Sequence, residues 1–341
     1  MKKIKIWFNH WFTTAYHLIY LMKKNHPEFY LIGTSTNPQA MYQFACDEFL
    51  SEPDQISETD YLDFCLKFCQ EHEISVFVPR RFLKYISENS GRFTEIGVKL
   101  FADTNPELAE ILDDKIKTYE FFKTDFPELI PEYDLTYSLE EFRNSYEILK
   151  QKHSRICYKL AQDEGARSFR VLDETTESMK ALLNPPNTKI HPETAYKILS
   201  QYDFSVPVLI MPYLDGMEIS ADCLRTPSGT IVIPRYKTGG RFAEIRFDSE
   251  LICLCEKMAG QMQIAMPFNI QFRKYRNKLY LLEINPRMSG GLQLSCEGAG
   301  INIPEIAVSQ LLGITQNWSY PEQKKIICAH LETPVIFPSI S

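Results

Sequence analysis

A chain of 341 residues, 44% hydrophobic and 24% charged, can form two or three packed units and has the make-up of a soluble globular protein. Its formal net charge of −7 argues against nucleic acid or a membrane surface as the main partner, while leaving room for a local basic pocket. The nine cysteines include no Cys-x-x-Cys pair, so Cys65/Cys69 and Cys253/Cys255 read as buried small hydrophobes rather than zinc ligands or disulfides, which fits a reducing, cytoplasmic setting.

Lys2 and Lys3 precede apolar residues, but Lys5, Asn9 and His10 interrupt the run, a poor signal peptide. No run of 18 apolar residues is present, so no membrane span is expected. Strands are expected at Ile4–Phe8, Phe29–Gly33, Ile74–Val78 and Val98–Phe101, with helices at Ala15–Lys24, Tyr61–Glu71 and Phe82–Thr94. Short strands alternating with helices predict a doubly wound parallel sheet. The strands end in polar residues, among them Asn9-His10 and Arg80-Arg81, where such sheets bind ligands. Arg80 and Arg81 are thus candidates for an anionic group, with two solvated arginines as the plain alternative. His10 reads more simply as a loop histidine than as a base. No Gly-x-Gly-x-x-Gly follows the first strand, which disfavours a dinucleotide site.

Further on, Asn105-Pro106 opens a helix, and Asp113-Asp114-Lys115 heads another through Phe122. Ser138 with Glu141 caps a helix to Lys150. Arg155–Leu160 is a strand ending near Lys159. A polar loop with Gly165, Arg167 and Ser168 follows, and Phe169–Leu172 resumes as strand. Pro185, Pro186 and Pro192 punctuate a surface region. Val206–Tyr213 is a strand leading into Asp215-Gly216, Met217–Leu224 and Thr230–Arg235 form a hairpin, and Leu251–Met262 and Pro304–Leu312 are helices.

The most informative stretch is Asn269-Ile270-Gln271-Phe272-Arg273 followed by Leu279–Arg287, two strands about a basic turn. Glu283 and Asn285 are two apart and share a strand face; Gln271 lies on the preceding strand, and Arg287 just past the strand end. A carboxylate, two amide oxygens and a guanidinium suit a magnesium triphosphate, although a Glu-x-Asn pair alone is also an ordinary solvated edge. The chain further offers Lys115, Lys159, the apolar Met211-Pro212-Tyr213-Leu214 run and Glu218.

This order resembles the ATP-grasp superfamily, and the metal-site pattern Asn-Ile-Gln-Phe with Glu-Ile-Asn-Pro-Arg-Met-Ser-Gly is similar to carbamoyl-phosphate synthetase. The chain also looks like the ATP-grasp group associated with tellurite-resistance operons, through Trp7-Phe8-Asn9-His10, Thr36-Asn37-Pro38, Phe77-Val78-Pro79 and Leu112-Asp113-Asp114-Lys115. The resemblance implies an α/β domain over residues 1–104, then an α+β grasp fold of two subdomains, 105–210 and 211–341. It implies that Lys115 and Lys159 contact ATP phosphates, that Met211, Tyr213 and Leu214 line adenine and that Glu218 holds ribose. Gln271, Glu283 and Asn285 would bind one or two magnesium ions, with manganese as a substitute. Arg287 would stabilise the transferring phosphoryl group, and Ser289, Gly290 and Gly291 would lie beside the acceptor. The loop after Lys159 departs from the glycine-rich pattern, having one glycine, Gly165; Arg167 and Arg170 could supply charge there, beside Ser168. Gln271 replaces a carboxylate, which weakens one magnesium site.

The implied activity is an ATP-dependent carboxylate–amine ligase acting through an acyl phosphate, without a protein nucleophile. Lys159 and Arg287 would be catalytic. Of Arg235, Lys237 and Arg241, Arg235 foremost would bind the substrate carboxylate or stabilise the tetrahedral intermediate; a solvated basic hairpin is the alternative. A kinase-like or carboxyphosphate-forming enzyme and a non-catalytic ATP-binding module are the rival readings. The expected partners are a small carboxylate and an amine, with no nucleic acid or membrane; a homo-oligomer is allowed. The sequence names neither substrate.

Overall fold

The computed structural model describes residues 3–103, 105–162, 167–176, 188–238, 242–331 and 335–337. The chain forms two compact units, residues 1–110 with 219–271 and 284–341, and residues 111–218 with 272–283. The boundary runs through two strands of the late hairpin.

The first unit starts with strands β1 (Ile4–Asn9), β2 (Phe29–Ser35), β3 (Glu48–Ser51), β4 (Val76–Val78) and β5 (Lys99–Leu100). They form one parallel sheet in the order β3-β2-β1-β4-β5. Helices α1 (Ala15–Lys23), α2 (Glu58–Glu71), α3 (Leu83–Glu88) and α4 (Ser90–Glu95) follow its strands, and α5 (Pro106–Asp113) comes after β5. Alternation along β1 explains why both faces are covered. Ile6 and Phe8 join one apolar core, and Trp7 joins another, stacked 4.1 Å from Phe77 and 4.3 Å from Phe68.

The helix expected from Tyr61 starts three residues earlier, because the Ser57 hydroxyl accepts from Asp60 N at 3.1 Å. The helix expected over 82–94 is two. Asn89 leaves helical geometry between α3 and α4 and turns its side-chain amide back to the Tyr85 carbonyl.

The second unit contains α6 (Lys115–Phe122), β6 (Asp134–Thr136), α7 (Leu139–Lys152), β7 (Ile156–Leu160), β8 (Arg170–Leu172), β9 (Lys189–Ile190), α8 (Pro192–Leu199) and β10 (Val208–Pro212). Its sheet runs β6-β10-β7-β8-β9. Ile156, Tyr158, Val208 and Ile210 point to a core with α7 and α8; Cys157, Leu209 and Met211 point to the opposite face. The region around Pro192, expected to be surface punctuation, is a helix. Proline occupies its first turn, where no amide donor is needed, and His191 caps it.

Strands β11 (Glu218–Thr226), β12 (Gly229–Lys237), β13 (Phe242–Arg246), β14 (Phe268–Tyr275), β15 (Lys278–Asn285) and β16 (Lys325–Ala329) form a sheet ordered β15-β14-β11-β12-β13-β16. Helices α9 (Ser249–Met262), α10 (Leu292–Ala299) and α11 (Ile303–Leu311) complete the chain. Within the first unit, Leu224, Ile231, Ile233 and Ile245 share one core with α1, α10 and α11.

All nine cysteines are free. The expectation that both cysteine pairs are buried holds for Cys65 and Cys69 but not for Cys253, which is exposed. On α9 the inward row is Leu251, Cys255, Met258, Ala259 and Met262, and Cys253 falls off it. No helix among the described residues is long and apolar enough to cross a membrane.

Candidate active site

Asp114 caps α6, accepting from the Ile116 and Lys117 amides at 2.8 and 3.2 Å. This sets Lys115 at the first helical position, with Nζ 3.0 Å from Glu283 Oε2 on β15. Tyr119, one turn on, donates its hydroxyl to the Leu282 carbonyl at 3.3 Å and fixes the helix against that strand. Burial, helped by Glu283, pushes the Tyr119 hydroxyl pKa well up, so it remains a donor. A cation and a carboxylate held side by side offer one group to a phosphate and the other to its metal.

Lys159 lies on β7 opposite Leu209. Burial pushes the neighbouring Cys157 thiol up to about 12, against the pull of Lys159, Arg273 and Arg155. All three cations lie close enough to act on that thiol. The same face is apolar: Met211 and Leu214 cluster with Cys157, Val171 and Leu209, and Ile116, Phe169, Tyr213 and Leu282 pack against them. Tyr213 has the Arg155 guanidinium 4.2 Å above its ring, and its amide is engaged by the Arg155 carbonyl at 2.8 Å. Ser168 accepts from Leu160 N at 2.9 Å, which anchors the end of the loop after Lys159. Arg167 is exposed, and its carbonyl accepts from Arg170. Gly165 lies outside the described residues.

Glu218 opens β11 and pairs with Arg273 at 2.7 Å; Arg273 also donates to the Leu214 carbonyl at 3.1 Å. Sequence reasoning missed Arg273, the residue that links the apolar run to Glu218. Gly216 brings the two segments together. Its amide donates to the Lys274 carbonyl at 3.0 Å, and a Cβ there would stand 2.8 Å from that carbonyl carbon and closer to its oxygen.

On the first unit's part of the hairpin, Gln271 and the strand-terminal Asn285 are half-buried, while Arg287 is exposed and donates to the Met288 carbonyl at 3.3 Å. Arg235 is not exposed. It is buried on β12, 3.2 Å from Ser220 Oγ, 3.3 Å from Ser295 Oγ and 3.8 Å from Asp222 Oδ2. Asn269 donates to Ser220, the Ala221 carbonyl and Asp222, and Ser295 donates to Asp222 at 2.6 Å. Gly291 leaves room for the guanidinium: a Cβ there would lie 2.7 Å from Nη1 and closer to Cζ. Asp222, Asn269 and Ser295 were missed, although Ser220 and Asp222 alternate as lone polar residues in an apolar strand. Lys237 is exposed, and Arg241 lies outside the described residues. Of the two N-terminal arginines, Arg81 is engaged by Glu52 and by the Pro53 and Asp54 carbonyls.

Residues 204–334 match a family model described as "ATP-grasp in the biosynthetic pathway with Ter operon". The carbamoyl phosphate synthase large chain of Clostridium perfringens is 28% identical over 128 residues, 33% of this chain and 12% of that protein. The biotin carboxylase domain of Hydrogenobacter thermophilus 2-oxoglutarate carboxylase, crystallised as a dimer with MgADP, ADP and bicarbonate, superposes with a TM-score of 0.64 at 14% identity, covering 94% of this chain and 72% of that one. The L-amino acid ligase of Bacillus licheniformis gives a TM-score of 0.62 at 11% identity, covering 92% and 75%. The architecture is thus an ATP-grasp fold, as the motifs implied.

Proposed function

We propose that this ATP-grasp protein is an ATP- and magnesium-dependent ligase that activates a small carboxylate as an acyl phosphate and joins it to an amine. The observation that carries the reading is the Lys115–Glu283 pair at 3.0 Å, with Asn285 two residues further along the same strand. Lys115 and Lys159 would bind phosphates, Met211, Tyr213 and Leu214 would flank the purine, and Glu218, oriented by Arg273, would take the ribose. Ser168 would hold the base of the phosphate loop, and Arg167 would add charge to it. The likeness to a biotin carboxylase domain crystallised with MgADP and to an amino acid ligase supports the cofactor and the reaction class.

Glu283, Asn285 and Gln271 supply one carboxylate and two amide oxygens, a hard-oxygen set that fits magnesium or manganese. Among the described residues no three His, Cys, Asp or Glu side chains gather into a cation cage. When bound, the ion would neutralise phosphate charge during transfer. Arg287 would add its guanidinium to the moving phosphoryl group. Arg235, being buried, is better suited to holding the 289–291 loop in shape than to touching the carboxylate. We further read residues 1–104, 105–210 and 211–341 as the three functional parts.

The test is magnesium-dependent ADP release across carboxylic acids paired with amino acids, with Glu283→Ala as the blank. Release that needs both partners and is lost in the variant is expected. ADP release without an amine would favour kinase-like chemistry, and ATP binding without turnover for any pair would overturn the ligase reading.

A further inference from the structure

The parallel sheet reverses its winding between β1 and β4, with β2 and β3 to one side and β5 to the other. Crevices open beyond the carboxyl ends of strands at such a point. Phe8 pairs with Val78, so His10 and Arg80 each lie two residues past a paired position, at the carboxyl ends of neighbouring strands. Arg80 N donates to Asn9 Oδ1 at 2.5 Å, which keeps the two ends together.

His10 has φ +42°, on the left-handed side that few residues other than glycine adopt. Its ring is anchored from beneath: Nδ1 lies 3.2 Å from Oε1 of Glu52, whose side chain is 0% exposed while that of His10 is 45% exposed. Arg81 meets the same carboxylate oxygen at 3.2 Å, and the Thr34 and Tyr61 hydroxyls donate to the other at 2.9 and 3.0 Å. Glu52 therefore faces Nδ1, and Nε2 is the ring nitrogen turned away from it. Nε2 has no partner among the described residues, and neither has the Arg80 guanidinium. The loop after β1 also runs beside the loop after Arg287, since a Cβ on Gly290 would lie 3.9 Å from Thr14 Oγ1. All of these residues belong to the first unit.

We propose that this crevice is the amine subsite, taking an α-amino acid with its carboxylate on Arg80 and its amine against His10 Nε2. The proposal rests on the ligase reading above and names the class of its nucleophile. The amine lone pair attacks the acyl carbon and the C–N bond forms. The C–O bond to phosphate breaks, and its electron pair leaves with the phosphate. One N–H proton passes to His10 Nε2 and on to the departing phosphate, giving the amide and hydrogen phosphate. Buried Glu52 holds the imidazole in place and offsets its charge while the proton resides there.

Hydroxylamine separates the two halves of the reaction, because it traps acyl phosphates without needing a base. The probes are acetate, L-aspartate, L-glutamate and citrate as acids, and glycine, L-alanine and L-glutamate as amines. His10→Asn tolerates the left-handed backbone and should lower amide formation about 100-fold or more, while hydroxamate formation persists and shows that the variant is folded. Arg80→Gln should raise the KM for amino acid acceptors about tenfold, the loss of one charged hydrogen-bonding partner. Wild-type amide rates in His10→Asn, or unchanged KM for every amino acid in Arg80→Gln, would overturn the subsite alone. No hydroxamate from the wild-type protein with any acid would remove the ligase reading, and the subsite with it.

Discussion

Gly216→Ala tests how the loop carrying Glu218 is held. An added Cβ would stand 2.8 Å from the Lys274 carbonyl carbon, whereas non-bonded heavy atoms settle near about 3.5 Å, so the segments must part by about 1 Å. That movement breaks the Gly216–Lys274 and Lys274–Met217 backbone hydrogen bonds, each 3.0 Å long. It also loosens Glu218 from Arg273, a pair of 2.7 Å whose side chains are 17% and 24% exposed. At about 1 kcal/mol for each backbone bond and about 1.5–3 kcal/mol for the charged one, the loss is about 3.5–5 kcal/mol. Urea unfolding reads the stability, and the KM for ATP reads the displaced Glu218 and Leu214; both should worsen. Gly260→Ala is the control. Gly260 sits inside α9 with nothing within 4 Å of an added Cβ, so alanine should stabilise by about 0.5–1 kcal/mol. Equal stability and equal KM in Gly216→Ala and wild type would refute the argument.

Asp222→Ala leaves the buried Arg235 without its carboxylate, takes one of three acceptors from Asn269 and removes the acceptor of the Ser295 hydroxyl. A loss of about 3–5 kcal/mol is expected in chemical denaturation, with Asp222→Asn milder; wild-type stability in the alanine variant would show the network to be dispensable. Glu244 on β13 is held down to about 2 by Arg246 and then by Lys325, which lies 2.9 Å away on β16. Its folded pKa is depressed, so its contribution is present above the ordinary carboxylate range and is lost as pH falls from about 4.5 towards 2. The stability gap between wild type and Glu244→Gln should therefore shrink on acidification, and a gap independent of pH would contradict this. Ser138→Ala removes the cap that accepts from Glu141 N at 3.2 Å. A loss of about 1 kcal/mol is expected, measured by thermal unfolding, and no change would assign α7 to packing alone.

What could be read from the sequence was what rests on local pattern. The alternating strands and helices of the first hundred residues, the Ser138 cap and the Glu283-x-Asn285 strand end are encoded by neighbours in the chain. What escaped depends on partners far away. Strands β13 and β16 hold together through pairings such as Glu244 with Ile327, and neither has a long apolar run of its own. Helix α10, with Gly298 inside it, looks unpromising until its packing is seen: a Cβ on Gly298 would collide with the Cys328 sulfur and the Ile245 side chain. Arg273 and Asp222 gain meaning only beside Glu218 and Arg235. The burial of Arg235 escaped for the same reason, since it is a property of the sheet and helix above it and not of the Arg-x-Lys spacing.

The uneven placement of the cysteines makes the protein a convenient object for spectroscopy. Burial pushes the Cys65, Cys69, Cys223 and Cys296 thiols far above their ordinary range, so little of the reactive thiolate forms at neutral pH. Cys253 alone among the nine is exposed, on the outer face of a regular helix. A maleimide fluorophore or spin label added briefly to the native protein should therefore attach predominantly there, giving a site-selective reporter without first replacing the other cysteines.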